Sequence, residues 1–434
     1  MNPREFARRR RQLMRMIGRG GVALLAAAPE RVRNRDVTFP YRQDSDFLYL
    51  TDFPEPEAIA VLIPGRNHGE FILFCRDRDP ERERWDGERV GTDGAVRDYG
   101  ADDAFPIADV DDILPGLLEQ CERVYHTMGT HPEFDARVIG WVNALRQRAG
   151  AHAPHEFVAL DPMLHDMRLY KSRAECSAMR RAARIGVAAH RRAMQATRPG
   201  MYEYEIEAEY LHEFRRHDAV PSYQPIVAGG HNACVLHYTR NNARLQEGDL
   251  LLIDAGCECE GYASDITRTF PVSGEFDARQ RDLYEVVLEA QRAAIAKVGP
   301  GHHWNEPHEA AVRAITRGLK RLGLIDGNVQ RLVRDEAYRP FFMHRTGHWL
   351  GLDVHDVGDY RVGDQWRLQE PGMAMTVEPG IYIAADSGAP KSWRGLGVRI
   401  EDDVLVTRDG HQVLSAALPV DAEDIEALMA RAGR

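Results

Sequence analysis

Short apolar stretches bounded by turn residues set the first part of the chain apart. Residues 22–75 carry GVALLAA, EAIAVLIP and EFILFC between clusters of Pro, Gly and Asn, the pattern of buried strands joined by turns. Upstream, Met14, Met16 and Ile17 ahead of the glycines from Gly18 to Gly21 predict a helix, a glycine turn and then a buried strand. Arg8 to Arg11 followed by Val22 to Ala28 has the order of an export signal, but its apolar part is too short for one. Helical spacing follows at about 109–121 and 132–148, so this region predicts one mixed α/β domain. A different pattern begins at Lys171. Ser172 with Glu175 three residues on is a capping box, and the helix it opens runs to about Thr197, where Pro199-Gly200 stops it. A second amphipathic helix carries Ile206, Tyr210 and Phe214 on one face and ends near His217, and further helices are expected at about 277–298 and 305–322. A boundary near 165–172 therefore separates an N-terminal domain, residues 1–168, from a C-terminal domain, residues 169–434.

The strand-like runs between these helices contain an internal echo. RLQEG leads into the strand LLLI, Asp254 and Gly256, while RLQEPG leads into AMTV, Glu378 and Gly380. In each half the acid stands six residues after the first glycine, and a second acid stands four residues after a later one: Asp265 after Gly261, Glu401 after Gly397. These aligned positions predict a diverged duplication in which a pseudo-twofold pair of hairpins brings four acids to one point.

Composition narrows what those acids can do. The 434 residues include 67 acidic and 56 basic side chains, a formal charge of −11, which argues against nucleic acid as a partner. At 44% apolar the chain can bury real cores, and no apolar run approaches the roughly 20 residues that cross a bilayer, so a soluble protein without a membrane partner is expected. Six scattered cysteines without CxxC spacing fit free thiols in a reducing cytoplasm, with Cys257-x-Cys259 expected to be a turn rather than a zinc knuckle.

Asp254 ends an apolar strand, GCECEGYAS turns, and Asp265 opens DITRTF, so a hairpin would set both carboxylates on adjacent strands. In GVRIEDD, Val398 and Ile400 share a face, and Arg399 and Glu401 do not suit a plain apolar core. Four converging carboxylates repel one another at neutral pH and need cations, raised pKa values, or both. Two divalent ions would balance them, and carboxylates suit bridging ions about 3.5–4 Å apart. FMHRTGHWLGLDVHD adds His344, His348 and His355, and HYTRNN adds His237. His344 and His348 have the i, i+4 spacing of a helical zinc pair, yet Gly347, Gly351 and the alternation of Leu350, Leu352 and Val354 argue against a helix, so one ligand is expected there. His302, His303 and His308 are expected to be exposed histidines of a loop and helix start. GxSxG, the Walker loop, GxGxxG and HExxH are all absent, which removes several enzyme classes.

The ordered series Asp254, Asp265, His348, Glu378 and Glu401, in the contexts LIDAG, SDITRTF, GHWLG, VEPG and RIEDD, resembles the metal-ligand set of the pita-bread metallopeptidases. That superfamily includes methionine aminopeptidase, aminopeptidase P, prolidase and the metal-free creatinase. PYRQDSDFLYLTDFPEPEA at 40–58, PSYQPIVAGG, LHYTRNN and FFMHRTGHWLGLDVHDVG further resemble bacterial-type aminopeptidase P, also called Xaa-Pro aminopeptidase, from about residue 22 to the C-terminus. Methionine aminopeptidase usually lacks such an N-terminal domain.

The resemblance implies an α/β (α+β) chain: a smaller mixed α/β domain followed by a pita-bread catalytic domain with a pseudo-twofold repeat. It implies that Asp254 binds one of two divalent ions, that His348 and Glu378 bind the other, and that Asp265 and Glu401 bridge them. Such a hard, oxygen-rich set fits manganese, with cobalt or zinc as alternatives. A metal-bridging hydroxide is then expected to attack the Xaa-Pro bond, with Glu378 relaying its proton and His237 and His355 stabilising the oxyanion. By the same resemblance Arg399 offsets carboxylate charge and sets substrate position, and His344 and Tyr223 border the proline pocket. Family members of this type are homotetramers in which a neighbour's N-terminal domain narrows the active-site mouth, and Asp36 and Trp85 occupy positions resembling those that reach in. The implied activity is release of the N-terminal residue from peptides with proline second. Prolidase action on Xaa-Pro dipeptides is the alternative, and a non-catalytic scaffold is disfavoured by the intact ligand set.

Overall fold

In the computed structural model, which describes residues 1–431, the chain divides between Arg168 and Leu169 into two compact units. Residues 432–434 of the C-terminal stretch expected from the sequence lie outside the described residues. Among the described residues no helix is long and apolar enough to cross a membrane.

The N-terminal unit is built on a mixed sheet in the order Asp103–Pro106, Phe71–Cys75, Ile59–Leu62, Gly21–Ala26, Arg123–His126 and Glu156–Ala159. Gly21–Ala26 runs antiparallel to Ile59–Leu62 and parallel to Arg123–His126, so the apolar runs read from the sequence lie side by side at its centre. Val22, Leu24, Val61, Ile72, Phe74 and Val124 are buried there together with Leu114 and Leu118 of helix Val110–Leu118 and Val138 and Val142 of helix Pro132–Arg146. Burial on both faces of these strands explains their near-continuous apolar character.

Residues 22–75 are not all strand and turn, however. A short helix, Ser45–Thr51, interrupts them, N-capped by the Asp44 carboxylate, which accepts from the Phe47 N–H at 2.9 Å. Its seven residues, SDFLYLT, are too few and too rich in β-formers to announce a helix. The opening helix Pro3–Ile17 secures it: the buried Arg9 and Arg10 donate to the carbonyls of Tyr49 and Leu50, each at 2.9 Å. Two guanidinium groups thus satisfy terminal carbonyls that the helix cannot satisfy itself. Helices Pro80–Asp86 and Gly91–Tyr99 were likewise outside the sequence expectation.

In the C-terminal unit the capping box is formed. The Glu175 N–H donates to the Ser172 hydroxyl, the Ser172 N–H to the Glu175 carboxylate, and the helix runs Arg173–Ala196. Helix Glu203–Arg215 packs beside it, and Ala278–Ile295 packs on Glu306–Arg321. Gly318 permits that second close approach: a Cβ there would lie 2.1 Å from Val286 Cγ1. These helices share one apolar core with the strands, including Ile253, Phe270, Val286, Ile315, Val377, Ile400 and Val404.

The internal echo appears as two antiparallel ladders. Leu250–Asp254 pairs with Thr267–Pro271, setting Asp254 opposite Thr267, and Ala374–Val377 pairs with Asp402–Thr407, setting Val377 opposite Asp402. The halves are joined where the Glu401 N–H donates to the Thr267 carbonyl at 3.0 Å. Between Asp254 and Asp265 the chain inserts a further hairpin, Cys257–Cys259 against Tyr262–Ala263. The CxC segment is therefore strand, not turn, and the turn falls at Glu260 and Gly261, both with positive φ. Both thiols are buried, and burial raises their pKa values, a setting for inert cysteine.

Candidate metal centre

Each acid of the duplicated pattern sits where a strand runs out. Asp254 is the last residue of Leu250–Asp254, Asp265 stands two before Thr267–Pro271, Glu378 follows Ala374–Val377, and Glu401 links Leu396–Arg399 to Asp402–Thr407. Four buried strand residues, Leu250 to Ile253, carry Asp254 to the site, so the acid is positioned by the core behind it. The segment bearing His344 and His348 is not helical, as the glycines and the alternation indicate.

These groups converge. Asp265, His348 and Glu401 offer ligand atoms that lie within 4.8 Å of one another. His348 Nε2 is 3.4 Å from Asp265 Oδ2 and 3.7 Å from Glu378 Oε1. The Tyr223 hydroxyl lies 2.5 Å from Asp254 Oδ1 and from Asp265 Oδ1, and Arg399 donates to Asp254 Oδ2 at 2.7 Å. Arg399 and Glu401 are buried, as walls of this polar site rather than members of an apolar core.

A surrounding layer aims the first. His348 Nδ1–H donates to the Trp349 carbonyl at 2.9 Å, an assignment from the hydrogen-bond network that turns Nε2 toward the carboxylates. The Thr267 hydroxyl donates to Glu401 Oε2 at 2.6 Å, and the Thr376 hydroxyl donates to Glu378 Oε1 at 3.3 Å while accepting the His348 N–H. The buried Asp403 carboxylate accepts the Asp265 N–H. The two threonines were not singled out from the sequence, although each stands two residues from an acid of the echo, the spacing that shares a strand face. Tyr382 was missed too: its hydroxyl accepts from Arg399 at 2.9 Å and meets His344 Nε2 at 2.9 Å.

Electrostatics follow from enclosure. Burial pushes Glu378 up to about 7, and burial together with the charges of Asp265, Glu378 and Asp254 drives Glu401 well above the carboxylate range. Burial also raises Asp254, against the pull of Arg399. Asp265 goes the other way: burial opposes ionisation, but the hydrogen bond and charge of His348 outweigh it and hold the carboxyl below its ordinary value. Reciprocally, burial disfavours the His348 imidazolium, yet Asp265 and Glu378 lift that ring to about 9. Left to itself the cluster would keep protons on carboxyls, and the donor set, hard oxygens with one imidazole, is that of a divalent-cation site.

Asp254, His348 and Glu378 of the cluster line a cleft of about 340 Å³ whose walls include His237, His344, His355 and Arg399. His237 and His355 are exposed in it, the ring of His355 lying edge-on to His348 with centroids 4.2 Å apart. His344 donates from Nδ1 to the Arg345 carbonyl at 2.7 Å, and burial pushes it down to about 3. Tyr223 holds the two aspartates and is not among the residues lining the cleft. Asp36, on an exposed hairpin turn, and Trp85, 87% exposed on helix Pro80–Asp86, belong to the N-terminal unit, whereas the cluster comes from the C-terminal unit.

His302, His303 and His308 are not the exposed loop residues expected. They are half-buried and engaged with Glu306 at 2.7 Å, the Trp366 carbonyl at 2.7 Å and the Thr346 hydroxyl at 2.9 Å. The start of helix Glu306–Arg321 packs back on the 342–346 segment, with the rings of His308 and Phe342 5.8 Å apart, and burial pushes His308 down to about 4.

Residues 177–408 match the model of metallopeptidase family M24, and residues 6–125 match that of the aminopeptidase P N-terminal domain. The chain is 46% identical over 432 residues to the Xaa-Pro aminopeptidase of Escherichia coli, covering 99% of this chain and 98% of that protein. It superposes on the structure of a Pseudomonas aeruginosa aminopeptidase with a TM-score of 0.99 at 60% identity, covering 100% and 99% of the two chains. A zinc-substituted aminopeptidase P of E. coli in complex with product gives a TM-score of 0.97 at 46% identity, covering 100% and 99%. A mixed α/β N-terminal domain followed by a pita-bread domain, matched end to end, means that the chain belongs to the Xaa-Pro aminopeptidases of metallopeptidase family M24.

Proposed function

We propose that this chain is a dinuclear-metal exopeptidase that releases the N-terminal residue from peptides with proline in the second position. The observation that carries the reading is the convergence of Asp254, Asp265, His348, Glu378 and Glu401, of which Asp254, His348 and Glu378 line one cleft and where burial leaves negative charge short of cations. In this reading two divalent ions would be held by Asp254 on one side and by His348 and Glu378 on the other, with Asp265 and Glu401 shared between them. Manganese suits the ligands, with cobalt or zinc able to replace it. When bound, two divalent ions bring the pKa of a shared water toward neutrality and act as Lewis acids on a carbonyl.

The chain's own residues do the rest. Glu378 lines the cleft, and there it takes and passes a proton. His355 and His237 face the cleft as donors to the oxyanion and fix the carbonyl's orientation. Arg399 offsets Asp254 and anchors Tyr382, which in turn holds His344. His344 remains neutral at physiological pH and borders the proline pocket, whereas Tyr223, expected beside it, instead holds Asp254 and Asp265. Proline calls for such a site because its amide nitrogen has no N–H and its ring restricts the preceding residue, so grips on extended N–H-bearing backbone fail. The leaving group is a tertiary-amide nitrogen that must be handed a proton, which Glu378 can supply.

Asp36 and Trp85 would act in a homotetramer, reaching into a neighbour's cleft. The exposed Val32, Val37 and Phe39 beside Asp36 support a contact surface there. The free cysteines fit a cytoplasmic location. The test is hydrolysis of a Xaa-Pro-Xaa tripeptide by chelator-treated protein with Mn²⁺ added back and products identified by mass. Release of the N-terminal residue only with metal is expected. Cleavage confined to Xaa-Pro dipeptides would replace the reading with prolidase.

A further inference from the structure

Behind the cleft lies a buried ion pair that the mechanism does not use. Lys171 Nζ meets Asp356 Oδ2 at 2.9 Å, and each side chain is 1% exposed. Lys171 directly precedes the N-cap of helix Arg173–Ala196, and its N–H donates to the Gly372 carbonyl at 2.9 Å, so it is anchored to two elements of the core. Asp356 directly follows His355. Its backbone N–H donates to the Trp349 carbonyl at 2.9 Å, the same oxygen that receives His348 Nδ1–H. Its second carboxylate oxygen accepts the Asp353 N–H at 3.4 Å, and Gly351 packs so closely that a Cβ would lie 2.1 Å from Asp356 Oδ2 and 2.9 Å from Lys171 Cε. The turn from Trp349 to Asp356 is thus wound around the pair, with His348 at one end and His355 at the other, their rings in contact.

Stability alone does not account for such a pair, since desolvating two charges offsets their attraction and an apolar pair of similar volume serves a fold as well. What a buried pair supplies is a fixed point. We infer that Lys171 and Asp356 are positioning residues that set the Trp349 carbonyl and thereby the orientation of His348 and the reach of His355. The inference rests on the metallopeptidase reading, for which wild-type turnover of the tripeptide with Mn²⁺ is the control: no turnover there would fail the reading and not the pair.

The test compares Lys171→Met with the double variant Lys171→Met/Asp356→Leu, following kcat, KM, Mn²⁺ affinity by titration and thermal midpoint. Outer partners of metal ligands are typically worth about 10–100-fold in metal affinity or activity. Lys171→Met should therefore lose about 10–100-fold in kcat and in Mn²⁺ affinity, with KM within about twofold. The double variant leaves no charge buried alone, so its thermal midpoint should return toward wild type while kcat and Mn²⁺ affinity stay low. Recovery of activity and affinity in step with the midpoint would reduce the pair to a structural support and overturn the inference. So would wild-type kcat and Mn²⁺ affinity in Lys171→Met. If Lys171→Met alone does not fold, the double variant carries the same comparison against wild type.

Discussion

Removing metal should expose a contribution of Glu378 to stability that falls as pH rises toward neutrality, opposite in sign to the buried neutral histidines His190, His308 and His344, whose contributions rise with pH up to about 6.5. Glu378 is held at about 7 against an ordinary 4.5, chiefly because burial penalises its charged form. The folded state therefore binds this proton more tightly than the unfolded chain does. The stability it contributes is fully present below pH 4.5 and is lost as pH rises through 7, a difference of about 3 kcal/mol. His348, lifted from 6.5 to about 9, adds a loss of the same sign at higher pH, whereas Asp265, shifted below 3.8, acts only in acid. Chemical denaturation of chelator-treated protein at half-unit steps from pH 5 to 8 reads the slope. Glu378→Gln removes the titrating group, so the stability of wild type relative to this variant should fall by about the same 3 kcal/mol between about pH 4.5 and 7. Saturating Mn²⁺ should displace the protons, so the gain in stability on adding metal should grow with pH. A Glu378→Gln variant that keeps the wild-type pH dependence in the absence of metal would refute the argument.

Other expectations separate roles within the site and the core. Glu401→Gln should lose bound metal and activity together, while His355→Ala should retain metal and lose about 10²–10³-fold in kcat; full turnover in the latter would remove His355 from oxyanion stabilisation. Tyr210→Phe should destabilise the C-terminal unit by about 1–3 kcal/mol in urea unfolding, because the Tyr210 hydroxyl donates at 2.7 Å to Nδ1 of the fully buried His190, whose Nε2–H is given to the Ile266 carbonyl at 2.9 Å. Gly318→Ala should cost about 1–3 kcal/mol through the clash with Val286 and leave KM unchanged, since the contact lies between helices away from the cleft.

Much of the site was legible because its residues announce themselves locally. Acids at strand ends, repeated in two halves with the same glycine spacing, need no tertiary information to be noticed, and neither does a capping box at Ser172 or an apolar run such as GVALLAA. These patterns arise from periods of two and 3.6 residues and from caps, which are properties of neighbouring residues. Tertiary structure decided the features that depend on residues far apart in the chain. Helix Ser45–Thr51 is secured by arginines some 40 residues away, and His308 leaves solvent because a helix start folds back on the segment before His348. Thr267 and Thr376 become partners of Glu401 and Glu378 only once the strands align. The charge states belong to the same class: Asp254, Asp265, Glu378 and Glu401 are ordinary carboxyls in sequence, and they part ways because enclosure strips water from all of them while His348 and Arg399 reach only some. The sequence by itself determined which groups could meet. The joining of the two halves at Thr267 and Glu401 decided how closely they do, because distance and burial, not residue type, set the strength of every interaction in the site.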